Sequence, residues 1–167
     1  MAIQGAAPEP GRVTAHLIVP NTNAATAFYE KAFGAKVLYL APLPNGENMH
    51  AHLRVADSLV MLTQEDSDKG KQLERTPARL AAPQTLGGTT TILELYVDDS
   101  EAWFQRAVDA GATPTLGICD SFWGDRMGWV TDPFGHVWSL SSVREVLTPQ
   151  EVQRRMEEMY SKMGGMH

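Results

Sequence analysis

One pattern occurs twice along this chain, and that internal repeat restricts the possible folds more than any other feature. His16-Leu17-Ile18-Val19 lies over Glu94-Leu95-Tyr96-Val97, and at the same offset Leu59-Val60-Met61-Leu62 lies over Val137-Trp138-Ser139-Leu140. Each copy begins with a short β-rich run. In the first, Ala25, Phe28, Tyr29, Ala32 and Phe33 then recur at the spacing that lines one face of a helix. Asn21 and Asn23 stand where a side-chain oxygen satisfies the free N–H groups of a helix start, and Gly34 where a left-handed residue closes one. In the second copy Phe104, Ala107 and Val108 repeat the spacing, Asp98 and Glu101 have capping-box separation, and Gly111 closes the helix. Three further extended runs follow each helix: 36–40, 49–55 and 59–63, then 113–119, 126–131 and 136–142. Two copies are too few for a solenoid. They suit a pseudo-symmetric domain with a site between its halves.

The punctuation sets the organisation. Residues 1–11 read as a flexible arm, 12–64 as the first module, 65–88 as a polar linker or lid loop, and 89–143 as the second module, with its first strand expected over 89–97. Thr148-Pro149 opens a C-terminal helix over 148–163, with Thr as cap and Pro in the first turn. Its Val152, Met156, Met159 and Met163 form an apolar stripe, suited to packing on the domain, on a second subunit, or to a Met-rich ligand surface. Pro44-Asn45-Gly46 and Asp132-Pro133-Phe134-Gly135 read as turns.

The chain has 167 residues and a formal charge of −6, which disfavours a nucleic-acid binder that must displace counterions with basic groups, and equally an anionic membrane surface. Its single cysteine, Cys119, excludes an intrachain disulfide and fits the cytoplasm. No apolar run approaches the roughly 20 residues of a membrane span.

Several stretches together resemble the vicinal-oxygen-chelate superfamily, the glyoxalase, bleomycin-resistance and extradiol-dioxygenase group. They are Leu17-Ile18-Val19, Ala27-Phe28-Tyr29, Ala32-Phe33-Gly34 and Asp132-Pro133-Phe134-Gly135-His136. The PhnB-like subgroup is resembled by Leu53-Arg54-Val55 with Asp57-Ser58, Pro83-Gln84-Thr85-Leu86-Gly87-Gly88, Leu95-Tyr96-Val97 and Phe122-Trp123-Gly124-Asp125-Arg126. The resemblance implies an α+β fold of two tandem βαβββ modules, their mixed sheets cupped around a small-molecule pocket, plus the C-terminal helix. It also implies a homodimer that completes the cups across its interface.

In the metal-dependent members four side chains hold a divalent ion, and the matching positions here are Thr14, Met61, Ile92 and Ser139. Ile92 and Met61 offer no ligand oxygen or imidazole, and Thr14 and Ser139 offer only neutral hydroxyls, which are poor ligands for Zn, Mn, Ni or Fe. The expectation is therefore no cofactor at the usual positions. Strand alternation places His16 and Glu94 on the same side as those positions, in equivalent places of the two modules, with His50, His52 and Arg54 sharing a face on the next strand. They are candidate catalytic or binding groups. As an alternative, His16 and Glu94 with His50 or His52 make a relocated divalent-metal site. Tyr96, Trp123 and Trp129 supply apolar walls for a ligand. Asp125 and Arg126 offer a charge pair at the rim, with Arg126 suited to an anionic substrate or, equally, the two forming a structural pair with each other or with the 64–88 loop. Two functions remain open: a metal-free small-molecule-binding cup, or a lyase- or isomerase-type enzyme using His16 and Glu94.

Overall fold

A computed structural model describes residues 12–65 and 80–164. The arm at 1–11 and most of the expected linker lie outside the described residues. The first module runs β1 (Ala15–Val19), α1 (Thr22–Phe33), β2 (Lys36–Pro42), β3 (Asn48–Val55) and β4 (Ser58–Gln64). A short helix, α2 (Pro83–Leu86), precedes the second module: β5 (Ile92–Tyr96), α3 (Ser100–Ala110), β6 (Thr113–Asp120), β7 (Asp125–Thr131) and β8 (Val137–Val143). A last helix, α4, spans Pro149–Gly164. The sheets have equivalent orders, β1-β4-β3-β2 and β5-β8-β7-β6, each with one parallel pair at its edge and antiparallel pairs elsewhere. The repeat read from the sequence is a repeat of register: His16 stands opposite Met61 as Glu94 stands opposite Ser139. The chain is thus an α+β protein of two tandem modules.

The helix stripes face the core as their spacing predicts. Ala25, Phe28, Tyr29, Ala32 and Phe33 are all buried, and α1 is capped by the Asn21 side chain at one end and by Gly34, at φ 63°, at the other. Asn23 instead accepts hydrogen bonds from the backbone and side chain of Asn48, tying α1 to β3. The cap of α3 differs from expectation. Asp99, not Asp98, accepts from the Ala102 N–H, so the capping pair Asp98 and Glu101 does not form. The first strand of the second module also starts later than expected, at Ile92, because the Gly87-Gly88 and threonine stretch ahead of it pairs with no strand. Within the expected loop, Pro83 pre-sets the first turn of α2 and Gly87, at φ 77°, ends it.

One core joins the modules. Helices α1 and α3 pack on each other, and Phe33 meets Trp138 at 4.7 Å and stacks on Trp103 at 6.3 Å. The Arg106 side chain donates to the Ala32 carbonyl at 2.6 Å, and buried His136 reaches the Ile18 carbonyl at 3.0 Å, a structural tie between modules. Close approach of α3 to its sheet requires glycine at 128. A Cβ there would meet Phe104 and Ile118 at 2.9 Å. Gly128→Ala is therefore expected to cost about 1–3 kcal/mol by overpacking, measured as a lowered denaturant midpoint at unchanged slope.

Helix α4 carries an ion pair to the preceding loop and others within itself. Arg155 pairs with Glu145 at 2.8 Å and with Glu151 at 3.0 Å, while Val152, Met156 and Met159 are half-buried. None of the described helices is long and apolar enough to cross a membrane.

Candidate functional site

Alternation along each strand divides the side chains between a helix-packed face and an outer face. In the first sheet Leu17, Val19, Ala51, Leu53, Val60 and Leu62 point into the core. His16, His50, His52, Met61 and Thr63 alternate with them and share the outer face. Thr63 stands opposite His50, and its Oγ1 lies 2.8 Å from His50 Nδ1 and 2.7 Å from His16 Nε2. His50 Nε2 is 2.8 Å from His52 Nε2, and Tyr39 closes edge-on to the His52 ring. A single hydroxyl hydrogen sits between two imidazoles, so Thr63 donates to one and accepts from the other. The result is a hydrogen-bonded chain, His52–His50–Thr63–His16, that neutral rings satisfy in either direction.

Desolvation favours those neutral rings. It lowers the His16 pKa, helped by the nearby His52, and lowers that of His50, helped by His52 and His16. Histidines of an unfolded chain take up protons near pH 6.5. The folded pair does so only at lower pH, so below about 6.5 the unfolded state holds more protons and stability falls as pH falls through the folded values. The wild-type denaturation midpoint should therefore drop more steeply from pH 7 to 5 than that of His50→Asn. Parallel slopes would show that this cluster does not couple to folding.

In the second sheet Leu93, Leu95, Trp138 and Leu140 face the core. Glu94, Tyr96, Asp125, Met127, Trp129, Ser139 and Ser141 take the outer face. Glu94 Oε1 accepts from Ser139 at 3.0 Å and from Ser141 at 2.5 Å. Asp125 is buried, yet its Oδ2 accepts from the Tyr96 hydroxyl at 2.6 Å and the Trp123 indole at 2.8 Å. That hydrogen bond is the main cause raising the Tyr96 pKa to about 12, which keeps the phenol a donor at neutral pH. The Trp129 indole N–H is buried beside Ser139 with no acceptor.

The expected Asp125–Arg126 pair at the rim does not form. Asp125 faces outward, so the next residue must face α3, and Arg126 bonds there to Glu101 and to Asp120, the latter at 2.9 Å. It borders a polar cleft of about 460 Å³ shared with Arg144, Glu145 and Arg155. His16 and Glu94 hold equivalent places on different sheets and have separate partners. His16 borders a cavity of about 550 Å³ between β1, α2 and the start of β5, whereas Glu94 borders another of about 230 Å³. Thr63 and Ser141 are site residues that the sequence reading passed over. Continuing the alternation two places beyond Met61 and Ser139 finds both, and the irregular β2–β3 pairing sets Tyr39 opposite His52.

The superfamily's usual metal positions do not fit an ion here. Thr14 precedes β1, Ile92 and Met61 bring no oxygen or imidazole, and Ser139 already donates to Glu94. Among the described residues no group of three or more His, Cys, Asp or Glu side chains is placed to hold a metal, so His16, Glu94 and His50 or His52 do not assemble as a relocated set within one chain.

Comparison with known proteins agrees with this architecture. The family model of the Glyoxalase/Bleomycin resistance protein/Dioxygenase superfamily matches residues 11–140. An uncharacterized protein of Mycobacterium tuberculosis (strain ATCC 25618 / H37Rv) is 44% identical over 142 residues, covering 84% of this chain and 79% of that one. Protein YjdN of Escherichia coli (strain K12) is 23% identical over 146 residues, covering 75% and 90%. Among solved structures, TioX from Micromonospora sp. ML1 is similar with a TM-score of 0.62 at 22% identity, covering 80% of this chain and 98% of that one. The fosfomycin resistance protein FosX from Listeria monocytogenes gives 0.60 at 16%, covering 87% and 99%. With a matching family model over most of the chain and the repeated β-α-β-β-β order on two equivalent sheets, the chain belongs to the glyoxalase/bleomycin resistance protein/dioxygenase superfamily.

Proposed function

We propose that this protein binds a small organic molecule on the outer faces of its two sheets, without a metal at the superfamily's usual positions. The observation that carries the reading is the content of those faces. Polar and aromatic groups stand opposite the core, with Tyr96 and Trp123 exposed and a buried carboxylate fixing both. Aromatic walls with a few oriented polar groups are what small-molecule sites require. His50, His52, Tyr96, Trp123, Asp125 and Trp129 are the proposed ligand-facing residues, and Arg126 is withdrawn from that set because its charge is engaged on the other face.

The same reading places the chain in the PhnB-like subgroup, on Phe122-Trp123-Gly124-Asp125-Arg126 and Leu95-Tyr96-Val97, and in the cytoplasm. It also makes the protein a homodimer, the first sheet of one copy covering the second sheet of the other. Exposed Ile92 and Val143, which share the outer face with Glu94 and Ser141, favour such cover. Sedimentation is expected to give twice the chain mass at micromolar concentration; a monomer throughout would leave each site half-built. The ligand test is a calorimetric screen of compounds of differing charge, in which absence of any binder contradicts the proposal.

A second reading is favoured by the histidine chain. Neutral imidazoles linked through Thr63 are poised to accept a proton, as a lyase- or isomerase-type reaction needs, with His16 and Glu94 as bases. Once a turned-over compound is known, His16→Ala and Glu94→Gln should each lower kcat by about 100-fold or more. Unchanged turnover in both would leave only binding.

A further inference from the structure

We infer that the outer face of the second sheet takes an organic cation, a quaternary or protonated amine, seated against Trp123 and Tyr96 with Asp125 and Glu94 supplying the opposing charge. The inference rests on the proposed binding function and names its ligand class.

Asp125 is 6% exposed, yet its bonded side-chain donors are a phenol and an indole, both neutral. A carboxylate withdrawn from water is held by hydrogen bonds or by an opposite charge, and here only neutral donors reach it. Among the described residues no cation is paired with Asp125 or with Glu94, whose donors are the hydroxyls of Ser139 and Ser141. Two of the nearby basic groups are committed to other carboxylates. Arg126 is held by Glu101 and Asp120 on the helix side, and Arg155 by Glu145 and Glu151. Arg144 borders the neighbouring cleft with Asp125 but bonds to neither of its oxygens.

The aromatic rings complete the argument. Tyr96 is 55% exposed and Trp123 41%, although large rings are costly to leave in water. Both polar tips converge on one carboxylate oxygen, which fixes ring orientation while leaving the rest of each ring exposed. Phe122 braces Trp123 edge-on at 4.8 Å. Aromatic faces attract cations through the ring quadrupole, most strongly for tryptophan. An anion would meet two carboxylates on this face, while a neutral molecule would leave their charge unanswered.

The test is titration of the full-length protein with choline, its neutral carbon isostere 3,3-dimethyl-1-butanol, and butyrate, followed by calorimetry and by the indole N–H signals of the four tryptophans. Choline is expected to bind saturably and to shift the Trp123 signal, while the isostere and butyrate do neither at the same concentration. Trp123→Ala and Glu94→Gln should each weaken choline about tenfold or more, whereas Tyr96→Phe, which keeps the ring, should weaken it less. Unchanged Trp103 and Trp138 signals report that each variant remains folded. Equal binding of the isostere, or choline binding indifferent to Trp123→Ala, overturns the inference. Should neutral or anionic compounds shift Trp123 while choline does not, the inference fails and the proposed function stands. Silence from compounds of every charge removes both.

Discussion

Replacing Asp132 with alanine is expected to destabilise the protein by about 3–5 kcal/mol, lowering the thermal midpoint by roughly 10 °C. The carboxylate is buried and fully employed. Oδ1 accepts the backbone N–H groups of Phe134 and His136, both at 2.9 Å, and Oδ2 accepts the Tyr29 hydroxyl at 2.6 Å and the Trp138 indole at 3.1 Å. Alanine leaves four donors facing a dry core, and unsatisfied buried donors cost more than the bonds themselves contribute. Burial and the neighbouring carboxylate raise the Tyr29 pKa well above its ordinary range, so Tyr29 stays a donor throughout the folded pH range. Asp132→Asn retains an acceptor for the two backbone groups but turns an amide N–H toward the indole donor, and should fall between wild type and alanine. Chemical denaturation at neutral pH measures the series. A loss below about 1 kcal/mol for the alanine variant would mean that water replaces the carboxylate.

Phe33→Ala should cost a similar amount, about 3–5 kcal/mol. This side chain is buried at the end of α1 and touches the rings of Phe28, Tyr29, Trp103 and Trp138, so it packs against both modules at once. Removing it leaves a cavity between two helices already fixed by their own sheets, and such a site collapses poorly. The protein should still unfold in a single transition, because the core is continuous across the modules. Two separate transitions in this variant would show that the modules are more independent than the shared core implies.

What could be read from the sequence is what local pattern controls. The stripe from Ala25 to Phe33, its Asn21 and Gly34 caps and the matched register of the two modules all follow from spacing and residue type. The shared outer face of His16, His50 and His52 follows from strand alternation. Features that depend on long-range packing were not legible. The Asp132 motif reads as a turn, and nothing local reveals that its carboxylate anchors Tyr29 from the other module. Choosing Asp99 over Asp98 as the α3 cap depends on where β5 releases the chain. Arg126 was misplaced for a simpler reason. Adjacent side chains on a strand face opposite ways, so the Asp125 carboxylate turns to Tyr96 and Trp123 while the Arg126 guanidinium turns to Glu101 and Asp120.

The most direct measurement of the binding account is the indole N–H spectrum of the protein with and without ligand. Trp103 and Trp138 pack against the core, whereas Trp123 and Trp129 belong to the outer face of the second sheet. Any specific ligand should shift the Trp123 and Trp129 signals and leave the other two nearly unmoved. Shifts confined to Trp103 and Trp138, with the outer-face pair unchanged, would place binding elsewhere and contradict the account.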